Sequence, residues 1–187
     1  MSLMTAQNVS KPTRRAMPGA ATATLSYAVE ETAIGQILVA RSAQGVCAIL
    51  IGTDRDELEV DLAARFPGAN LTPDESLVHD DLAKVTHFVD KPADGLDLWL
   101  DMRGTDFQRR VWEALRAIPV GTTTTYTEIA NWIGLPHAAR AVASACAANP
   151  LALAIPCHRV VRSDGGLADY RWGVERKRAL IAKEMQA

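Results

Sequence analysis

The run Tyr126-Thr-Glu-Ile-Ala-Asn-Trp-Ile133, then Gly134-Leu135-Pro136, then His137-Ala138-Ala139-Arg140-Ala141-Val142-Ala143-Ser144-Ala145-Cys146-Ala147-Ala148 decides how the chain is read. It spells two short helices joined by a tight glycine-containing turn, a helix-turn-helix candidate. The second helix is unusual for that class. Helices that read the major groove present Arg, Gln or Asn to base edges, whereas this one offers a single arginine, Arg140, among small side chains. A smooth helix can lie close along a narrow groove while one long side chain enters the base stack, which suits minor-groove binding by shape. A close-packed buried helix with Arg140 at its rim reads the same way, and the helix alone does not choose.

Outward from this stretch, Thr105 precedes Phe107, Val111, Trp112, Leu115 and Ile118 at helical spacing, and Pro119-Val120-Gly121 closes the run. On the other side, apolar Leu151–Ile155 leads into Pro156-Cys157-His158-Arg159-Val160, a turn falls at Asp164-Gly165-Gly166, and a charged helix covers Val174–Met185. Residues 103–187 thus form a mostly helical unit. Before it, Leu25–Val29, Gly35–Ala40 and Val46–Ile51 have β character. Asp54 is placed to cap a helix running through Phe66, a second helix covers Ser76–Val89, and Leu96–Leu100 alternates like a strand. Residues 24–102 read as a small α/β, ribonuclease-H-like unit with no catalytic pattern in it. Residues 1–23, rich in Ala, Thr, Ser and Pro without periodicity, read as a flexible tail or linker. The fold class is α+β.

The 187 residues, 48 % hydrophobic and 22 % charged, fit one globular domain to one and a half and exclude a mostly disordered chain. No apolar run approaches the roughly 20 residues of a membrane-spanning helix. Lys11, Arg14 and Arg15 have no apolar segment behind them to make a secretory signal. Cys47, Cys146 and Cys157 form no CxxC and cannot all pair, which argues against a disulfide framework or cysteine-rich zinc module and fits a reducing, cytoplasmic setting. The net charge of −2 hides an asymmetry: residues 16–102 carry five basic and fifteen acidic groups, residues 103–187 twelve basic and seven acidic. A basic half is the footprint of a unit that meets a polyanion, although a merely solvated acidic surface gives the same count.

Cys157 is the sharpest chemical feature. A buried cysteine is usually an inert small hydrophobe. It becomes a nucleophile when a base, cation or helix N-terminus stabilises its thiolate. His158 is the nearest candidate base, directly or through one water. Neighbours on a strand point to opposite faces, so His158 reaches Cys157 only if the backbone turns there.

Pro156-Cys157-His158-Arg159-Val160, with Asn149-Pro150, Tyr126 and Arg140 before it and Tyr170-Arg171-Trp172-Gly173 after it, resembles the O6-alkylguanine-DNA alkyltransferases. The likeness is closest to the C-terminal alkyltransferase domain of the bacterial adaptive-response (Ada) proteins, covers residues 24–184 and is strongest from Phe107 to Glu184. It implies a winged helix-turn-helix-type alkyltransferase domain behind the ribonuclease-H-like unit. It also implies a role for each matched residue. Cys157 would accept the alkyl group as a thioether, His158 would act as base through a water, and Glu184 would orient and charge that histidine. Asn149 would be the hinge between recognition helix and active-site segment. Tyr126 would hydrogen-bond guanine N3 and crowd the 3′ phosphate, and Arg140 would fill the gap left by the flipped nucleotide. Ala139, Ala141 and Ser144 would line the DNA face. The carbonyls of Cys157 and Val160 would read the guanine amino group, with Tyr170 and Arg171 in the loop over the pocket. Arg159 would tie the active-site turn to its surroundings.

The reaction implied is suicidal repair of O6-methylguanine and, less efficiently, O4-methylthymine in double-stranded DNA, entered from the minor groove, with no metal or organic cofactor. Nothing in the pattern regenerates the thiol. The resemblance further implies a monomer in solution with cooperative binding along DNA, and no membrane partner. The four-cysteine zinc domain and separate transcription domain of full Ada proteins have no counterpart here, and His79 and His87 lack cysteine partners, so no zinc is expected. Met1–Arg15 reads as linker or appended sequence, and the chain reads equally as a stand-alone repair protein or as part of a longer one. Three other readings fit the residues less well. A non-reacting lesion sensor is opposed by Cys157, a sequence-specific regulator by the lack of base-reading side chains over 138–148, and a cysteine hydrolase by the absence of an oxyanion pattern.

Overall fold

Three apolar runs pair as an antiparallel meander in the computed structural model, which describes residues 23–187. The tail read over residues 1–23 therefore lies, its last residue apart, outside the described residues. Strands β1 (Thr24–Thr32), β2 (Gly35–Ser42) and β3 (Gly45–Gly52) are joined by β4 (Asn70–Pro73), parallel to β1, in the order β3-β2-β1-β4. Every residue of β3 but the last is buried, because both faces of the strand are covered; such strands lose the usual alternation. Helix α1 (Arg55–Arg65) packs on β2 and β3, and α2 (Glu75–Asp90) on β1 and β2. Asp54 and Asp74 cap them by accepting from the backbone N–H of Glu57 and Leu77. The second helix thus starts one residue before the Ser76 expected from sequence. Strand β4 was not expected at all. It is four residues long and ends in Pro73, a composition that sequence rules demote.

Leu96–Leu100 is not a strand. Its alternation is real, with Leu98 buried and Trp99 77 % exposed, but only Leu100 pairs, bridging to Val46. The Val46 N–H donates to the Trp99 carbonyl at 2.8 Å, and the Asp101 N–H to the Val46 carbonyl at 2.8 Å. Alternation reports which side chains face the core; it does not supply a backbone partner along the whole length.

The outer edge of β3 is also held at Ile49. Its N–H donates to the Pro150 carbonyl at 2.9 Å, and its carbonyl accepts from Ala152 at 3.0 Å. This bridge pins residues 150–152, just ahead of Cys157, to the sheet.

Helix α3 (Asp106–Arg116) opens on a capping box between Thr105 and Gln108, and α4 (Tyr126–Trp132) on another between Thr125 and Glu128. The Trp112 indole N–H donates to the Ala145 carbonyl at 2.9 Å, tying α3 to α5 (Ala139–Ala147). Between α4 and α5 the chain turns through Gly134, at φ +72°. The Arg110 guanidinium donates to the Ile133 carbonyl at 2.6 Å, satisfying the end of α4. Helix α5 begins two residues later than its sequence pattern suggested, because Pro136 and His137 are taken up in a turn closed by the Ala138 N–H on the Leu135 carbonyl at 2.9 Å. Strands β5 (Thr124–Thr125) and β6 (Val160–Val161) pair in parallel, and α6 (Val174–Glu184) closes the chain. Among the described residues the fold is mixed α+β, with a four-stranded sheet, a short strand pair and six α-helices. Among the described residues, no helix is long and apolar enough to cross a membrane.

Candidate active site

Asn149, which follows directly on the C-cap of α5, organises the segment that carries Cys157. It is fully buried. Its side-chain amide donates to the Ile155 carbonyl at 2.9 Å, the Leu151 carbonyl at 3.4 Å and Cys157 Sγ at 3.4 Å, while its Oδ1 accepts from the Leu151 N–H at 2.8 Å. One side chain thus braces residues 151–157, including Leu153 in the left-handed region at φ +67°, a conformation that costs a β-carbon residue about 1–2 kcal/mol. The apolar run is therefore a braced turn, not a strand. Cys157-His158-Arg159 form a single 3₁₀ turn, so the backbone bends where adjacent strand residues would have diverged.

All three side chains of that turn are buried. The imidazole of His158 contacts Glu184 of α6, Nε2 to Oε1 at 2.8 Å. An ionised carboxylate only accepts, so Nε2 carries the hydrogen and Nδ1 keeps its lone pair. Nδ1 is buried and has no protein partner. Arg159 grips the same carboxylate with two hydrogen bonds, Nε to Oε2 at 2.8 Å and Nη2 to Oε1 at 2.9 Å, and donates to the Ile118 carbonyl at 2.5 Å. Glu184, which by sequence alone reads as a solvated helix charge, is 4 % exposed. Its partner Arg159 links the Cys157 turn to α6 and to the Ile118 carbonyl.

The electrostatics follow from this packing. Burial would raise the Glu184 carboxyl, but the hydrogen bonds and charges of His158 and Arg159 hold it down at about 2. Burial pulls the His158 imidazole below its usual range, against the pull of Glu184. Glu184 thus orients the histidine, while the desolvation of full burial favours its neutral form. Burial also pushes the Cys157 thiol up to about 11, and the Asn149 amide opposes that shift. The resting site holds a neutral thiol beside a neutral base. Both depressed groups act on stability with the same sign. The unfolded chain binds protons that the folded one refuses, so stability falls as the pH drops below about 6.5 for His158 and below about 4.5 for Glu184. Thermal unfolding followed from pH 7 to pH 3 should give a midpoint that declines throughout that interval; a midpoint flat above pH 5 would contradict the neutral-histidine assignment.

Cys157 opens onto a cavity of about 530 Å³ whose walls include Tyr126, Ser144, Cys146, Tyr170 and Arg171. Burial lifts the Tyr126 hydroxyl to about 12, so it remains a hydrogen-bond donor. Tyr170 packs edge-on to His158 at 6.4 Å and to Trp172 at 5.2 Å. Arg171 is held at the mouth by Asp61 of α1, 2.8 Å away. Val160 is fully buried, and its carbonyl accepts from Lys177 Nζ at 2.5 Å. Arg140, Ala141 and Ser144 share the outward face of α5, with Ala139 at its edge, and Val142, Ala145 and Cys146 face inward. The Ser144 hydroxyl donates to the Arg140 carbonyl at 3.2 Å. Arg140 does not line the cavity; the other expected residues group around Cys157 or along this face. Lys177 was not singled out by sequence. The available signal was its position three residues before Leu180, which puts it on the same inward stripe of α6 as Leu180 and Glu184. Among the described residues, no cluster of three or more His, Cys, Asp or Glu side chains could hold a metal.

Residues 106–186 match the model of the 6-O-methylguanine DNA methyltransferase DNA-binding domain. The chain is 39 % identical over 123 residues to an inducible methylated-DNA--protein-cysteine methyltransferase of Bacillus subtilis, covering 66 % of this chain and 69 % of that protein. It is 49 % identical over 160 residues to the bifunctional transcriptional activator/DNA repair enzyme Ada of Escherichia coli, covering 86 % of this chain and 45 % of that protein. The crystal structure of Mycobacterium tuberculosis O6-methylguanine methyltransferase superposes with a TM-score of 0.66 at 36 % identity, covering 87 % of this chain and 93 % of that one. A complex of the M. tuberculosis protein OGT with DNA gives 0.65 at 33 % identity, with the same coverage. The chain belongs to the methylated-DNA--protein-cysteine methyltransferase family. It spans about half the length of the curated relatives it first matches.

Proposed function

We propose that the chain repairs DNA by direct reversal, moving the methyl group of O6-methylguanine, and less efficiently of O4-methylthymine, onto its own Cys157. The observation that carries this reading is the Cys157 thiol at a cavity wall, braced by the Asn149 amide and followed in the same turn by a neutral histidine whose free Nδ1 is buried. Nδ1, through a water, takes the thiol proton as the lesion enters. The thiolate attacks the methyl carbon, the carbon–O6 bond breaks, and its electron pair leaves with the guanine, which recovers a proton. A thioether is a poor leaving group, so each chain reacts once. No cofactor takes part in these steps.

A methyl group inside a stacked duplex is out of reach of a buried thiol, so the nucleotide must be flipped, at a cost of a few kcal/mol. The small-residue outward face of α5 fits the minor groove, with its uncapped N-terminus toward phosphate. Arg140 fills the vacated stack, Tyr126 donates to guanine N3, and the Val160 and Cys157 carbonyls read the amino group. Tyr170 and Arg171 close the loop over the base. In this reading residues 24–102, with the order β3-β2-β1-β4, are the ribonuclease-H-like unit and residues 103–187 the winged helix-turn-helix-type alkyltransferase domain. The protein acts as a monomer on double-stranded DNA, cooperatively where copies adjoin, and in the cytoplasm.

The test is nucleoside analysis of duplex DNA after reaction: O6-methylguanine should be lost one for one with added protein, and multiple turnovers would refute the reading. Arg140→Ala should slow transfer from duplex DNA roughly 10- to 100-fold, the share of the flipping cost that the arginine offsets. Transfer from the same strand unpaired should stay within about threefold. Equal losses on both substrates would mean that Arg140 does not act in flipping.

A further inference from the structure

Arg162 is an exposed arginine at the Cys157 cavity to which the transfer steps above give no task. The register of the short strand pair puts it there. Thr124 of β5 pairs with Val160 of β6 and Thr125 with Val161, so Tyr126 and Arg162, the next residue of each strand, leave the pair side by side, and both line the cavity. The turn behind Arg162 is closed by its own backbone: its N–H donates to the Gly166 carbonyl and its carbonyl accepts from the Gly165 N–H, both at 2.9 Å. The backbone is thus fixed, while the guanidinium meets no carboxylate or carbonyl among the described residues. Elsewhere in this chain the guanidinium groups are mostly spoken for. Those of Arg103, Arg110, Arg159, Arg171 and Arg176 all end on a carboxylate or a carbonyl. Arg140 and Arg116 are open like Arg162, but Arg140 stands on the outward face of α5 and Arg116 lines a separate cavity beside Pro119 and Pro156.

We propose that Arg162 grips a backbone phosphate next to the flipped nucleotide and so holds the lesion extruded at Cys157. Turning a nucleotide out of the stack rotates it about its own backbone, so the phosphates on either side of it come to the cavity rim with the base. The walls of that rim differ in charge. Helix α5 presents Ala143, Ser144 and Ala147, none of them ionisable. Arg171 lines the cavity as well, but Asp61 of α1 holds it at 2.8 Å. Asp169 is the carboxylate among the lining residues and repels a phosphate; no cation pairs with it among the described residues. Arg162 is left as the cation free to meet an anion there. Burial dominates the ionisation of Tyr126 and of Lys177, and the Arg162 charge acts on both, favouring the phenolate and opposing the ammonium. That is the behaviour of a guanidinium at the cavity mouth with no anion of its own. Its planar fork suits the paired oxygens of a phosphate. The proposal rests on the flipping of the lesion toward Cys157.

The experiment measures affinity by fluorescence anisotropy for a duplex carrying one O6-methylguanine, in proteins that also carry Cys157→Ala so that the lesion persists. Arg162→Gln should weaken binding about tenfold and lower the slope of log affinity against log salt by about one, the share of a single phosphate. Arg162→Lys should recover the slope, since it keeps the charge. A methylphosphonate linkage, which is neutral, is then placed on the 3′ side of the lesion, on its 5′ side, or well away from it. At one of the flanking positions it should cost the arginine protein about tenfold and the glutamine protein no more than about twofold, because the two changes remove the same contact. At the distant position both proteins should lose alike. An effect of Arg162→Gln within about twofold on the unmodified duplex would overturn the proposal, and so would equal losses in both proteins at both flanking positions. If Asp169→Asn abolished the effect of Arg162→Gln, the arginine would be serving that carboxylate and the proposal would fall. If the protein with its cysteine intact binds the lesion and leaves the methyl group in place, the proposed transfer fails, while the linkage comparison still reports on Arg162.

Discussion

Cys157→Ala should bind a duplex carrying O6-methylguanine as tightly as the unaltered protein and remove no methyl group from it. The thiol makes one side-chain hydrogen bond, accepted from Asn149 at 3.4 Å, a long contact whose loss leaves the amide still bonded to the Ile155 carbonyl. The substitution removes one atom from a site that already opens onto a cavity, so its cost to folding should be on the order of 1 kcal/mol. Cys146 shares the cavity but cannot take over. Burial raises its thiol further than that of Cys157, and it lacks the Asn149 hydrogen bond that favours a thiolate. Fluorescence anisotropy for binding, beside nucleoside analysis for transfer, checks both halves. Residual one-for-one transfer in the variant would move the acceptor to Cys146.

Glu184→Gln carries the second large effect, and it falls on stability and reaction together. Removing the carboxylate charge leaves Arg159, 5 % exposed, as a buried cation without its anion, a change that costs roughly 3–5 kcal/mol. The glutamine amide can also present a donor to His158 Nε2 and reverse the tautomer, placing the hydrogen on the nitrogen that should act as base. Transfer should therefore fall by about 10²–10⁴-fold, the usual contribution of a positioned general base. Denaturant unfolding and single-turnover rates measure the two parts. Replacing Arg159 and Glu184 together by apolar residues should recover much of the stability but not the rate, because His158 would still have lost its orienting partner. A double variant that recovered both would show that the carboxylate serves only Arg159.

What could be read from the sequence divides along physical lines. The helices that begin behind Thr105 and Thr125 were legible because the signals are local, apolar residues at helical spacing with Pro119-Val120-Gly121 and Gly134-Leu135-Pro136 closing the runs. The single-arginine helix was legible for the same reason, and its outward face carries Arg140 as its one long side chain. Elements defined by distant partners were not. Strand β4 exists because β1 offers it an edge, and Leu96–Leu100 fails as a strand because β3 meets it at one residue. In the candidate site, Cys157 and His158 stood out, but the bend that lets them share one turn depends on Asn149 bracing the chain from eight residues away. Glu184 and Lys177 look like ordinary charges of a polar helix until the fold turns their stripe inward. Only the resemblance promoted the first, and nothing promoted the second.

The central claim is that Cys157 accepts a methyl group once and keeps it. Intact-mass measurement after mixing equimolar protein and a duplex with one O6-methylguanine tests this most directly. The account predicts a gain of a single methyl group on essentially every chain, mapped by fragmentation to Cys157, with no further gain when more lesion is added. Tight binding with unchanged mass, or a methyl group found on another residue, would contradict it.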